Sequence, residues 1–420
     1  MTAVLAVVLV VAGCSSSSKN ATSNTTAGGG SSPTEAGNKS SAPGVKSSSI
    51  NVALITSLTG SDSSNSITIP KGFKARIDAQ NAAGGVNGRK ITFVVEDDQS
   101  SVSQAQVAAQ AAENAGVFLI DYNSPFAFGA VKYMADKGIP VVGSAYDGPE
   151  WSQVQTFGNM FSWTQVLYPS YPIYTTDANF IKEQGGTRVG SVGYGISPSS
   201  SATAKGMGPA ATAVGITAPY INSSLPFGTV NTTAIGLEMK QQNVNSLYGP
   251  IDPNTLLAIL TSAEQAGVKL KVTDMSTGYG EDFLNEPSAL QAAQGAYMIT
   301  NSQVPVELKT AATQAEQAAF AKYEGFTGIP NFGWTQGYAS ADLLIKGLEV
   351  AGQNPTRSSF IDNLRKVTSY NVDNLATNTV NFSNVTTIPN QTCSYYVQLK
   401  GKQFIVQNNG KPVCGNLLKS

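Results

Sequence analysis

Histidine is absent from the 420 residues. That removes the side chain that most often titrates near neutral pH and most often gives zinc a nitrogen ligand. A Ser-His-Asp triad, a Cys-His pair and a His-bearing zinc site are therefore excluded, while chemistry built on carboxylates, lysine or tyrosine is not. Charge is scarce too. Asp, Glu, Lys and Arg make up 13% of the chain, against about a quarter in ordinary domains. The net charge is −1 and no basic block occurs, which argues against nucleic acid as a partner. Nucleophile elbow, phosphate loop and metal-ligand spacing are all missing. "GYGEDF" carries glycines without the full dinucleotide fingerprint. The expectation is a protein that is not an enzyme and uses no cofactor and no metal. Cysteine is rare: Cys14, Cys393 and Cys414 read as one plus two.

What is present begins with "AVLAVVLVVAGC", an apolar run ending at Cys14. It is shorter than the roughly 20 residues a bilayer requires and fits the apolar region of a secretory signal. Val11, Ala12, Gly13 and Cys14 resemble a bacterial lipobox. That resemblance implies cleavage after residue 13, with residues 1–14 as the lipoprotein signal ending at a lipidated Cys14. The alternative is an ordinary signal peptide that happens to contain cysteine. No Lys or Arg precedes the run, and a basic start further upstream is expected. Residues 15–49 are mostly Ser, Thr, Gly and Asn, with almost no apolar side chain larger than alanine. Such a stretch cannot bury enough surface to offset chain entropy. It reads as a flexible tether spanning roughly 30–35 Å.

From residue 50 the pattern alternates. "INVALI", "KITFVVE", "VFLIDY" and "IPVVGS" are continuous apolar runs of strand length, with Ala-rich or amphipathic helical stretches between them. Pro70 opens the first helix, and Gly84 and Gly85 close it. The rhythm resumes after residue 169 with a helix over "YPSYPIYTTDANFIKEQGG" and strands at "RVGSVGYG", "ITAPYI", "VNSLYG" and "LKVTDM". Repeated βα units with strands this apolar imply parallel sheets covered on both faces. Two such runs imply two doubly wound lobes. Three further helices follow, "ELKTAATQAEQAAFAKYEG", "WTQGYASADLLIKGLEVAG" and "RSSFIDNLRKV". "TVNFS", "CSYYVQLK" and "QFIVQNN" then read as antiparallel strands. Cys393 and Cys414 flank this tail, and in an exported protein such a pair is expected to form a disulfide.

"INVALITSLTG", "NAAGGVNGRKITFVVEDDQS" and "GYASADLLIKGLEVAG" resemble the Leu/Ile/Val-binding-protein-like solute-binding proteins of ABC importers. The likeness covers roughly residues 50 to 370. It implies the type I periplasmic-binding-protein fold: two α/β lobes joined by a hinge of crossing strands near 164–170, 300–305 and 370–378. One lobe would hold 50–166 plus 304–372, the other 168–300 plus 378–420. It implies a monomer, lipid-anchored on the extracytoplasmic face of the cell membrane, that passes a small-molecule ligand to an ABC permease. A ligand-sensing lipoprotein with the same fold is the alternative.

Ligands in open parallel sheets sit beyond the carboxyl ends of strands. After the third strand come Asn123, Ser124, Pro125 and Phe126; after the fourth come Ser144, Ala145, Tyr146 and Asp147. Ser124 is placed to cap the helix that follows, whose free amides could hold a carboxylate. The resemblance implies backbone and hydroxyl contacts from Asn123, Ser124, Ser144, Ala145 and Tyr146. The second run offers Tyr194, Ser199, Tyr248, Thr277 and Tyr279, the tyrosines giving a flat apolar face with a hydroxyl. Amino-acid binders of the family carry an acid that meets the ligand ammonium; the matching position here is Thr277. A standard amino acid would need Asp147 or Glu281 instead. The expected ligand is small and polar-headed with an apolar or aromatic portion. Glu96, Asp97 and Asp98 close the second strand, and the reading for them is structural.

Overall fold

The structure, a computed structural model, describes residues 37–166, 171–300 and 302–418. The signal segment, Cys14 and residues 15–36 lie outside the described residues, as does part of two expected crossings. The end of the expected tether is instead part of the first lobe, with Val45 buried in its core, Ser41 Oγ donating to Pro355 O and β1 beginning at Ser49. No helix among the described residues is long and apolar enough to cross a membrane.

Two sheets organise the chain. In the first, β1 (Ser49–Thr56), β2 (Lys90–Asp97), β3 (Ile120–Asn123), β4 (Val141–Gly143) and β5 (Met160–Ser162) lie in the order β2-β1-β3-β4-β5. All are parallel. The second contains β6 (Arg188–Tyr194), β7 (Thr217–Leu225), β8 (Ser246–Gly249), β9 (Val272–Met275) and β10 (Tyr297–Ile299) in parallel. An antiparallel edge completes it. Of the tail strands β11 (Gln391–Ser394), β12 (Tyr396–Lys400), β13 (Gln403–Val406) and β14 (Val413–Asn416), β12 and β13 join this edge beside β10. β11 and β14 form a separate ribbon with Cys393 opposite Cys414, and the two are disulfide-bonded. The apolar faces of each sheet are covered by helices, so the chain is an α/β protein with two lobes.

The first lobe's core gathers Val52, Leu54, Phe73, Phe118, Leu344, Leu348 and Phe360. At its centre the helices Ile69–Ala82 and Phe332–Ala351 nearly touch. A Cβ on Gly72 would lie 2.0 Å from the Trp334 carbonyl oxygen, and one on Gly337 would lie 2.1 Å from that of Ile69. Only glycine permits this approach. The second core holds Val192, Leu247, Met275, Met298, Val397 and Leu399. Arg89, from the glycine-rich turn before β2, is fully buried. Its guanidinium donates to the carbonyls of Lys46 (2.7 Å) and Lys39 (2.9 Å) and to Asn354 Oδ1 (3.1 Å). It thereby fastens the start of the described chain to the first lobe.

Several elements differ from the sequence expectation. The helix expected from "YPSYPIYTT" starts only at Thr176, because Pro172 lacks an amide donor and Tyr171 has a left-handed backbone, φ 41°. The segment after Phe126 is a 3-10 turn, Ala127–Gly129, and a six-residue helix, Val131–Asp136. "TVNFS" is not a strand: Val380 bridges Tyr370, Phe382–Asn384 make a 3-10 turn, and Phe382 enters the first core. "CSYYVQLK" divides between two sheets. At the expected crossings, Val304 N donates to Leu375 O (2.9 Å) and Thr377 N to Ser302 O (2.9 Å), so these segments run side by side.

Candidate ligand-binding site

The carboxyl ends of both sheets open onto one cleft. Two adjoining cavities occupy it, of about 190 and about 410 Å³. Both are walled by Tyr146 and Phe332 from the first lobe and by Ser199, Thr203, Pro250 and Ser276 from the second. Tyr146 follows β4. Phe332 begins the long glycine-packed helix, which fixes its position. Ser199 and Thr203 stand on the first turns of the Pro198–Ala213 helix, whose N-cap Ser197 accepts from Ser200 N. The rings of Tyr146 and Phe332 lie 5.7 Å apart, and Tyr194 meets Phe227 at 4.7 Å.

The smaller cavity is also lined by three carboxylates, Asp62, Asp147 and Asp252. Asp62 accepts from Asn65 Nδ2 (3.1 Å) and Ser66 Oγ (2.8 Å). Burial pushes its carboxyl up to about 6 against the pull of these donors, and Asp98 and Asp252 nearby add to the rise. Asp147 crosses the cleft: Oδ2 accepts from Ser197 Oγ and Oδ1 from Ser199 N, both at 2.8 Å. Burial raises its carboxyl while those donors hold it back. Asp252 caps the Pro253–Gln265 helix and accepts the Tyr194 hydroxyl. The lobes also meet where Asn331 Nδ2 donates to Asp282 (2.8 Å), Glu281 N to Ile329 O (2.7 Å), and Phe126 packs edge-on against Phe227.

Of the residues singled out from sequence, Ala145, Tyr146, Asp147, Tyr194, Ser199, Tyr248 and Thr277 line the two cavities. Asn123 and Ser144 stand behind the wall. Asn123 Nδ2 donates to Ser340 Oγ (2.7 Å), and Ser144 Oγ to Gln336 Oε1 (2.6 Å). Ser124 Oγ accepts from Phe126 N (3.1 Å) and so caps a tight turn rather than a long helix. Phe126 contributes its ring to the lobe contact. Tyr279 is fully buried in the second core, its hydroxyl donating to Glu307 (2.7 Å). Thr277 Oγ1 donates to Ile251 O (3.0 Å). Glu281 lines a separate cavity with Glu307 and Lys402. Asp62 sits after β1, where the strand-end rule applies equally, and escaped notice because its loop reads as plain polar linker. Phe332 enters from a distant segment and leaves no local signal; Trp163, which lines the larger cavity, follows β5, a strand too short to be read from its pattern. Among the described residues no group of three acidic or cysteine side chains is arranged to hold a metal.

Aromatic faces, hydroxyls and carboxylates from the two lobes converge on one cleft, the kind of lining that small-molecule sites have. No curated protein matches the chain in sequence. A family model described as periplasmic binding protein matches residues 49–403. Among solved structures, a fatty acid ABC transporter substrate-binding protein from Thermomonospora curvata superposes with TM-score 0.68 at 19% identity, covering 90% of this chain and 94% of its own. A leucine binding protein from Thermotoga maritima gives 0.70 at 16% identity, covering 86% and 98%. A solute binding protein of an ABC transporter from R. palustris, in complex with benzoate, gives 0.69 at 17% identity, covering 87% and 97%. At such identities the likeness carries the fold, and the family match extends over most of the chain: the chain belongs to the periplasmic binding protein family, with the type I two-lobe fold.

Proposed function

We propose that this chain is an extracytoplasmic solute-binding protein, held to the membrane by lipid on Cys14, that captures a small molecule between its lobes and delivers it to an ABC permease. The observation that carries this reading is the cleft walled from both lobes by Tyr146, Phe332, Ser199 and Pro250. The similar proteins named above support it, since their names include leucine, fatty acid and benzoate. The protein acts as a monomer. Its lobes are 50–166 plus 304–372 and 168–300 plus 378–420, the last range corrected at its start because Val380, Phe382 and Val385 pack with the first lobe's core. Ala145, Tyr146, Tyr194, Ser199, Tyr248 and Thr277 contact the ligand. Asn123, Ser124 and Ser144 hold the wall in shape.

Ligand bridging both lobes stabilises the closed arrangement over an open one, and the closed form docks on the permease. The test is small-angle scattering combined with thermal unfolding. A compound released from the purified protein and identified by mass spectrometry should raise the melting temperature by mass action and reduce the radius of gyration. A verified ligand that leaves the radius unchanged overturns capture by closure.

A further inference from the structure

The cleft's charge and its donors favour one class of ligand. Among the described residues lining the two cavities there is no Lys and no Arg, whereas Asp62, Asp147 and Asp252 line the smaller one. Asp62 and Asp147 are 6% and 3% exposed. A carboxylate withdrawn from water without a cation is costly, and the hydrogen bonds of Asp62 come from neutral side chains only. The titratable groups facing it are Asp98, after β2, Asp252, at the Pro253–Gln265 helix, and the Tyr146 hydroxyl. None supplies positive charge.

The backbone amides that would receive a ligand carboxylate are already occupied. Ala145 N donates to Ser162 Oγ (2.9 Å), Tyr146 N to Ser144 O (2.9 Å) and Phe126 N to Ser124 Oγ (3.1 Å). At the start of the Pro198–Ala213 helix, Ser199 N donates to Asp147 (2.8 Å). A carboxylate of the protein thus sits where an anionic ligand would be drawn by the helix dipole. The Tyr146 hydroxyl oxygen is buried without a hydrogen-bond partner, and the rings of Tyr146, Phe332, Tyr194 and Phe227 complete the smaller cavity. Aromatic faces beside carboxylates attract cations twice over.

We infer that the cleft takes an organic cation, an amine or quaternary ammonium on an apolar body, rather than a carboxylic acid. The inference rests on the cleft being the binding site.

The test is calorimetry on the purified protein at pH 7.5 with benzyltrimethylammonium, benzylamine, benzyl alcohol, benzoate and leucine, with scattering on each saturated sample. The two cations should bind at least tenfold more tightly than benzoate or leucine. D62N and D252N should each weaken cation binding about tenfold and leave benzyl alcohol unchanged; two sites guard against one variant misfolding. Absence of cation binding at 10 mM, or cation affinity unchanged in both folded variants, overturns the inference. Tightest binding by benzoate or leucine, with compaction, overturns the cation class and leaves the cleft reading standing. Tight binding of any probe with no compaction, and with affinity unchanged in Phe332→Ala, removes the cleft reading as well.

Discussion

Asp97 shows how one side chain joins two strand ends. Its Oδ1 accepts from Leu58 N (2.9 Å), Thr59 N (3.3 Å) and Gln99 N (2.8 Å), and its Oδ2 from Thr59 Oγ1 (2.6 Å). Partial burial works against the charge, but these donors outweigh it and hold the carboxyl below its ordinary value. Asp98 accepts from Ser57 Oγ (2.7 Å) and Ser100 N (3.1 Å). Together they brace the loop after β1, the loop that carries Asp62 into the cleft. Asp97→Asn should cost about 1–3 kcal/mol, the value of hydrogen bonds to a charged acceptor, as measured by chemical denaturation. Because the folded value is depressed, this contribution is present above the ordinary carboxylate range and lost as pH falls through the lowered value. The acidic triplet was legible as structural, since no histidine exists to make it a metal site. Its partners were not: the serines that follow suggest helix capping, whereas the carboxylates reach the neighbouring loop, 38 to 41 residues away in sequence.

At the scale of elements, length decided what could be read. The long Phe332–Ala351 helix and the eight-residue β1 and β2 carry enough periodicity to be recognised. The three-residue β5 and β10 do not, and their pairing comes from the sheet around them. The short helices Glu281–Asn285 and Pro287–Ala292 were missed for the same reason. The glycine contact between Ile69–Ala82 and Phe332–Ala351 is invisible in sequence, because a glycine inside a helix normally reads as a weakness. Here it sets the helix spacing and, through Phe332, the position of a cleft wall. Gly337→Ala should destabilise the protein by about 1–3 kcal/mol or more, since the obstacle is backbone and not a movable side chain. It should also weaken ligand binding, so denaturation and calorimetry should fall together.

For the molecule as a whole, the missing histidine has a measurable effect. Between pH 5 and 8 no ordinary side chain titrates, so any pH dependence of stability there reports displaced groups. Burial raises Asp98, Asp121, Asp147, Asp177, Asp274 and Glu307. It brings Asp62 to about 6 and Glu316 to about 8. Glu316 is fully buried, with neither carboxyl oxygen hydrogen-bonded. A raised carboxyl contributes stability that is complete below its unfolded value and lost as pH rises through its folded one. The protein should therefore melt at a higher temperature at pH 5 than at pH 8. Glu316→Gln should remove from that slope about 1.4 kcal/mol per pH unit, one proton's worth. Thermal unfolding followed by circular dichroism across this range checks both; a flat wild-type profile would count against the buried acids being neutral.

On the proposed role, the carboxylate that Asp147 extends across the cleft would set how often the protein is shut while empty. A receptor that an importer recognises by its shut shape has to keep shut, empty copies rare, or each one competes for the docking surface without cargo. The Asp147 contacts to Ser197 and Ser199 favour closure with no guest inside, so the empty protein should spend a measurable share of its time shut. Asp147→Ala should lengthen the radius of gyration of the ligand-free protein in solution scattering, with an unchanged radius speaking against it. The same substitution should sharpen the contrast in radius between loaded and empty copies, so that on the proposed role one side chain would set how faithfully the shut shape reports a guest.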